Sequence, residues 1–101
     1  MVELIHSDVF DKWLEDLRDE RAKGRIVQRL VRLAAGNPGD VKPVGEGISE
    51  LRISYGPGYR VYYMQRGEEI IVLLCGGDKS TQDRDIRKAK EIAEDWRDSH
   101  G

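Results

Sequence analysis

Arg52, Arg60 and Lys79 are the residues of this chain best placed to do chemistry, and each is set in sequence that would fix its position. In E-L-R-I-S, Arg52 alternates with Leu51 and Ile53, so it should leave the face those two bury. Arg60 opens a β-rich run just after the turn Tyr55-Gly56-Pro57-Gly58. Lys79 follows Gly76-Gly77-Asp78 and precedes a helix start, where exposed amides, a helix dipole and a cation together can hold an anion. Fixed cations gathered on a small sheet suit phosphate, which makes nucleic acid the leading ligand class. Lys42, in V-K-P-V, is a further candidate. Tyr62 shares the parity of Arg60 and is expected to present its ring to a ligand, as a platform for a base.

Ordinary structural roles stand beside each of these. Arg52 also reads as a sheet arginine paired with Glu50 or Glu68, and Arg60 as a charge blunting a strand end. Lys79 fits any strand-to-helix turn. His6 and His100 lie at the chain extremes and are poor general bases, while Cys75 reads as a small apolar residue. No spacing of His, Cys and carboxylates suggests a metal site, and neither a P-loop nor a dinucleotide fingerprint is present.

The elements that must position the cations follow from periodicity. Val2–Ile5 is a short strand, Ser7 a helix N-cap, and Phe10, Trp13, Leu14 and Leu17 repeat at helical spacing. After a connection through Arg21–Gly24, a second helix presents Ile26, Val27, Leu30, Val31 and Ala34 opposite Arg25, Arg29 and Arg32. Gly36-Asn37-Pro38-Gly39-Asp40 stops it. The period then changes to two, giving strands around Leu51–Ile53, Tyr59–Gln65 and Ile70–Cys75. The last, apolar on both faces, is the expected central strand, ended by Gly76-Gly77. Ser80 and Asp83 form the expected cap of a closing helix whose buried face is Ile86, Ala89, Ala93 and Trp96. The order β-α-α-β-β-β-α predicts an α+β fold, with helices covering the apolar face of one curled, mostly antiparallel sheet.

With 101 residues the chain is one expected domain, residues 1–101. The net charge of −2 is unlike that of strongly basic nucleic-acid binders, but it is unevenly spread. Residues 41–66 carry four basic and two acidic side chains, and residues 67–101 six basic and nine acidic ones. A local basic surface can still steer a phosphate chain, over a range shortened by salt, so affinity for bare RNA should be poor. A single cysteine fits a reducing compartment. No apolar run reaches the ~20 residues of a membrane span, and the start M-V-E-L-I-H-S-D-V-F has no secretory pattern. A cytoplasmic location and no membrane partner are expected.

The segments G-I-S-E-L-R-I-S-Y-G-P-G-Y-R-V-Y-Y and I-I-V-L-L-C-G-G-D-K-S-T-Q-D-R-D-I-R-K-A-K-E-I-A-E-D-W resemble the addiction-module killer proteins. These are HigB-like toxins of the RelE/ParE superfamily, in type II toxin–antitoxin systems. The resemblance implies a small RelE-like fold and an mRNA interferase that cleaves messenger RNA on the ribosome. It also implies neutralisation by a cognate helix-turn-helix antitoxin. The implied reaction is attack of the RNA 2′-hydroxyl on the adjacent phosphate, with no metal or other cofactor. Arg52 and Arg60 would then bind phosphate and transition-state charge, Lys79 would stabilise the leaving group or phosphate, and Lys42 and Tyr62 would contact RNA. Two departures stand out: where some relatives use a tyrosine or histidine near the C-terminus, this chain has no tyrosine after Tyr63 and only His100 in its tail, and it is slightly acidic, unlike many ribosome-dependent toxins. The same superfamily contains ParE-like toxins, which inhibit DNA gyrase without nuclease activity, and an inactive, antitoxin-binding regulatory member is a further alternative. The antitoxin is expected against the Arg52/Arg60/Lys79 surface or the helical hairpin.

Overall fold

The structure, a computed structural model, describes residues 2–100. The chain runs β1 (Glu3–His6), α1 (Asp8–Asp16), α2 (Glu20–Ala34), β2 (Val41–Gly45), β3 (Ile48–Ile53), β4 (Tyr59–Arg66), β5 (Ile70–Asp78), a single 3₁₀ turn (Lys79–Thr81) and α3 (Gln82–His100). One five-stranded sheet has the order β1-β5-β4-β3-β2. All pairings are antiparallel except that of β1 with β5, which is parallel. This is the expected α+β architecture, compatible with a RelE-like fold, with three differences that bear on the site.

The first is β2, an edge strand that the expected order β-α-α-β-β-β-α does not contain. Pro43 cannot donate to a ladder, but an edge strand does not need every donor, and the pairing shifts between Pro43 and Gly45. The second is that helices cover both faces of the sheet rather than one. On one side α1 and α2 enclose Phe10, Ile26, Leu30, Leu33, Leu51, Ile53, Val61, Tyr63, Ile71 and Leu73. On the other, α3 lays Ala89 and Ala93 over Ile48, Tyr62, Met64, Val72, Leu74 and Cys75. Strand β5 is buried from both sides, as its unbroken apolar run requires, although β4 occupies the geometric centre.

The third difference lies at the glycine pair, which does not end β5; the strand continues through it to Asp78. The glycines serve close approach. A Cβ on Gly76 would overlap the Trp13 indole, and one on Gly77 would overlap the Asp85 carboxylate, on opposite faces of the strand. Helices therefore pack directly on the backbone just before Lys79.

Helix ends follow local chemistry. The Ser7 Oγ accepts from the Phe10 amide at 2.9 Å and donates to the Leu74 carbonyl at 2.6 Å, so one hydroxyl both caps α1 and pins it to β5. Arg21–Gly24, expected as a connection, lies inside α2. Asp19 starts that helix by accepting from the Arg21 and Ala22 amides at 3.0 and 3.2 Å, and one glycine in a helix interior costs only about 1 kcal/mol. The cap expected at Ser80 is instead Asp78, whose Oδ1 accepts from the Ser80 amide at 2.8 Å.

Candidate cation site at the sheet end

Arg52 and Arg60 are direct partners across β3 and β4, so both side chains leave the same face of the sheet. Arg60 pairs on its other side with Gly77 of β5, two residues before Lys79. Strand register thus sets the two arginines side by side, and the 3₁₀ turn that follows β5 carries Lys79 at the same end of the sheet. Gly58 is wedged between Arg60 and Lys79, with φ +80°: a Cβ there would lie 3.2 Å from Arg60 Nη1 and 3.6 Å from Lys79 Cβ. Its carbonyl accepts from Arg60 Nη1 at 2.9 Å. The turn is therefore part of the site, and only glycine combines that backbone angle with so little room.

Each arginine has its own counter-ion. Arg52 donates to Asp40 Oδ1 from Nη2 at 2.8 Å and from Nε at 3.2 Å. Neither Glu50 nor Glu68, the partners considered from sequence, takes that place. The Arg52 hydrogen bond holds the Asp40 carboxyl below the usual carboxylate range, with help from the charges of Arg29 and Arg60. Arg29 reaches across from α2, donating to the Arg52 carbonyl at 2.6 Å, to that of Pro38 at 3.0 Å and to that of Asp40 at 3.2 Å. It fastens the 38–40 loop to the end of β3. Helical periodicity places Arg29 opposite the apolar stripe and gives no sign of this task. Arg52, Arg60, Asp40, Ser54 and Gly58 line an open recess of about 250 Å³.

Beneath Arg60 lies a buried polar group. Glu50 is 0% exposed. Its Oε2 accepts from the Tyr62 hydroxyl at 3.0 Å and from Gln82 Nε2 at 2.8 Å, and its Oε1 stands 3.7 Å from Arg60 Nε. Tyr62 is therefore not the ligand-facing ring expected from its parity with Arg60. It does share that face, but α3 covers the face there, and the ring is fully buried. Burial, the Glu50 charge and the hydrogen bond to it push the phenol far above its ordinary range, so Tyr62 is a fixed donor. The other tyrosines are also engaged. Tyr55 donates to Asp19 Oδ2 at 3.1 Å beneath Arg25, Tyr63 is buried, and Tyr59 packs against the apolar core.

Lys79 is exposed at the start of the 3₁₀ turn. With Ser80, Gln82, Asp83, Arg84 and Arg87 it borders a second recess of about 380 Å³, separate from that of the two arginines, where the start of α3 adds two cations and one carboxylate. Lys42 is exposed on β2 opposite Glu50, two residues from Asp40. The histidines are elsewhere. His6 contacts Asp11 at 2.9 Å on the far edge strand, and His100 stacks on Trp96 with ring centres 4.0 Å apart. Cys75 is buried, its thiol pushed up to about 12 mainly by desolvation. No helix among the described residues is long and apolar enough to cross a membrane.

The arrangement can bind and stabilise negative charge, with the two arginines held by strands and Lys79 by the turn into α3. Comparison with known proteins places it in context. The family model described as "Phage derived protein Gp49-like (DUF891)" matches residues 12–97, a span that includes every residue of this site. An uncharacterized protein of Haemophilus influenzae is 54% identical over 86 residues, which make up 85% of this chain and 87% of that relative. The chain belongs to the phage-derived Gp49-like family, a family associated with toxin–antitoxin systems.

Proposed function

We propose that the protein is the toxin of a type II toxin–antitoxin module and acts as a ribosome-dependent mRNA endoribonuclease of HigB-like type, neutralised by a helix-turn-helix antitoxin. The observation that supports this best is the convergence of Arg52, Arg60 and Lys79 at one end of the sheet around Gly58. In the proposed reaction the 2′-hydroxyl oxygen attacks the adjacent phosphorus and loses its proton. The P–O5′ bond breaks, and the products are a 2′,3′-cyclic phosphate and a 5′-hydroxyl that takes up a proton. Charge grows on the non-bridging oxygens, where two permanently protonated guanidinium groups are well suited to receive it. Lys79, exposed at the start of the 3₁₀ turn, is assigned to the leaving oxygen or its phosphate. Lys42, exposed on β2, is assigned a contact with the RNA backbone. With both histidines remote from the cations, the ribosome is proposed to hold the RNA and to supply part of the proton-transfer environment.

One observation favours a second reading. Arg52 and Arg60 are both countered within the chain, by Asp40 and Glu50, as structural arginines would be. That suits a ParE-like inhibitor of DNA gyrase, which has no phosphodiester to cleave. Inducible expression in a bacterial host separates the two. Growth arrest with new, codon-phased mRNA ends, lost in Arg60→Ala and Lys79→Ala, is the expected result. Arrest with intact mRNA and blocked supercoiling would transfer the protein to the inhibitor class.

A further inference from the structure

We infer that Glu50 is a positioning residue: it holds the Arg60 guanidinium from beneath and, through Gln82, ties it to the turn that carries Lys79. The inference rests on the nuclease reading and names a residue that acts only through its neighbours. A carboxylate is seldom fully buried unless it is paired, and Glu50 is 0% exposed. One of its oxygens is satisfied twice, by Tyr62 and Gln82. The other, Oε1, is buried without a hydrogen-bond partner among the described residues, and the same is true of Arg60 Nε. These two orphaned atoms face each other at 3.7 Å, too far for a hydrogen bond and close enough for strong attraction between charges.

A stability role explains this poorly. A buried and incompletely satisfied ion pair is commonly no better than well-packed apolar side chains at the same place. Its location explains it better. The Arg60 side chain is 12% exposed; Glu50 holds it on the Nε side, and the Gly58 carbonyl holds Nη1. The guanidinium is therefore oriented before any anion arrives. Gln82 is the residue at which the 3₁₀ turn passes into α3, so its bond to Glu50 links the β4 cation to the β5 exit. The same cover of Tyr62, Gln82 and α3 keeps Glu50 away from substrate, which excludes it as the base.

The test is Glu50→Gln in the full-length protein. The substitution keeps side-chain size and an acceptor for Tyr62 and Gln82, and removes the charge facing Arg60. Three quantities are read: kcat and KM for ribosome-dependent mRNA cleavage, affinity for an uncleavable 2′-deoxy oligonucleotide, and the NMR resonance of Arg60 Nε–H. Misorientation of one cation is expected to lower kcat about 100-fold. Oligonucleotide affinity should hold or rise, because a negative charge has been removed, and the Nε–H resonance should move. Gln82→Ala, at a half-buried position, should lower kcat by a smaller factor and supplies the test if Glu50→Gln fails to fold. Unchanged kcat in the folded variants, or a parallel loss of kcat and oligonucleotide affinity, would overturn the inference. If the wild type cleaves no mRNA, the nuclease reading fails. The resonance and the oligonucleotide affinity still decide whether Glu50 sets Arg60.

Discussion

The two faces of the sheet are covered in different ways. On the α1/α2 face the buried side chains are almost wholly apolar, with Phe10, Ile26, Leu30 and Leu33 meeting Leu51, Ile53, Val61 and Leu73. On the α3 face the fully buried apolar residues of the helix are Ala89 and Ala93, flanked by half-buried Ile86, Ile92 and Trp96, and both buried charged residues among those described are here, Glu50 under the helix and Asp85 on it. Large apolar side chains maximise the area removed from water, about 25 cal/mol per Å². Small ones give that up and let a helix sit close to strand backbone, as Asp85 sits on Gly77. One face therefore joins large apolar side chains from helices and sheet alike. The other holds polar groups where they can support the cations at its edge.

If that division is right, mutations on the two faces should separate stability from activity. The largest effect is expected from Phe10→Ala, which should cost about 3–5 kcal/mol in urea unfolding, a large part of the total stability of a small domain. Equal loss from Ala89→Gly would blur the contrast. Lys79→Ala should reduce RNA cleavage about 100-fold while leaving the unfolding midpoint in place. A matching fall in stability would make Lys79 structural. Gly76→Ala comes next: Trp13 has no room for the added methyl, and overpacking should cost about 1–3 kcal/mol by thermal unfolding.

The smallest effects are chemical. The Asp40 carboxyl is lowered by Arg52, so its contribution is complete above its ordinary value of 3.8 and is lost only as pH falls through the depressed folded value. An NMR titration should find its midpoint below 3.8, and no change in the Arg52 contact between about pH 5 and pH 8. A midpoint at or above the ordinary value would contradict the pairing. The Cys75 thiol, buried and pushed up to about 12, should resist alkylation at pH 8 and react once the chain is unfolded. Fast reaction of the native protein would mean that α3 lifts readily from its face.

The sequence exposed the parts of the site that depend on local pattern. Strict alternation places Arg52 opposite Leu51 and Ile53, and the short hairpin through Gly58 sets it beside Arg60. The Ser7 cap and the buried run of β5 are equally local. The missed features depend on chain segments far apart in sequence. Asp40 reaches Arg52 because β2 forms an edge strand, which V-K-P-V does not advertise. Tyr62 shares the face of Arg60 as its parity says, yet whether that face is solvent or core depends on α3, 20 residues further on. The same helix turns Glu50 from an alternating surface carboxylate into a buried one. Arg29 has no pattern to betray it, since its acceptors are carbonyls of the 38–40 loop and the end of β3.

The most direct measurement places purified protein in a reconstituted translation system and maps the ends of the mRNA, comparing wild type with Lys79→Ala. The account predicts codon-phased cuts bearing 2′,3′-cyclic phosphate and 5′-hydroxyl ends, made only on translating ribosomes and strongly reduced by the substitution. Intact mRNA under wild-type protein, or cleavage indifferent to Lys79, would contradict it.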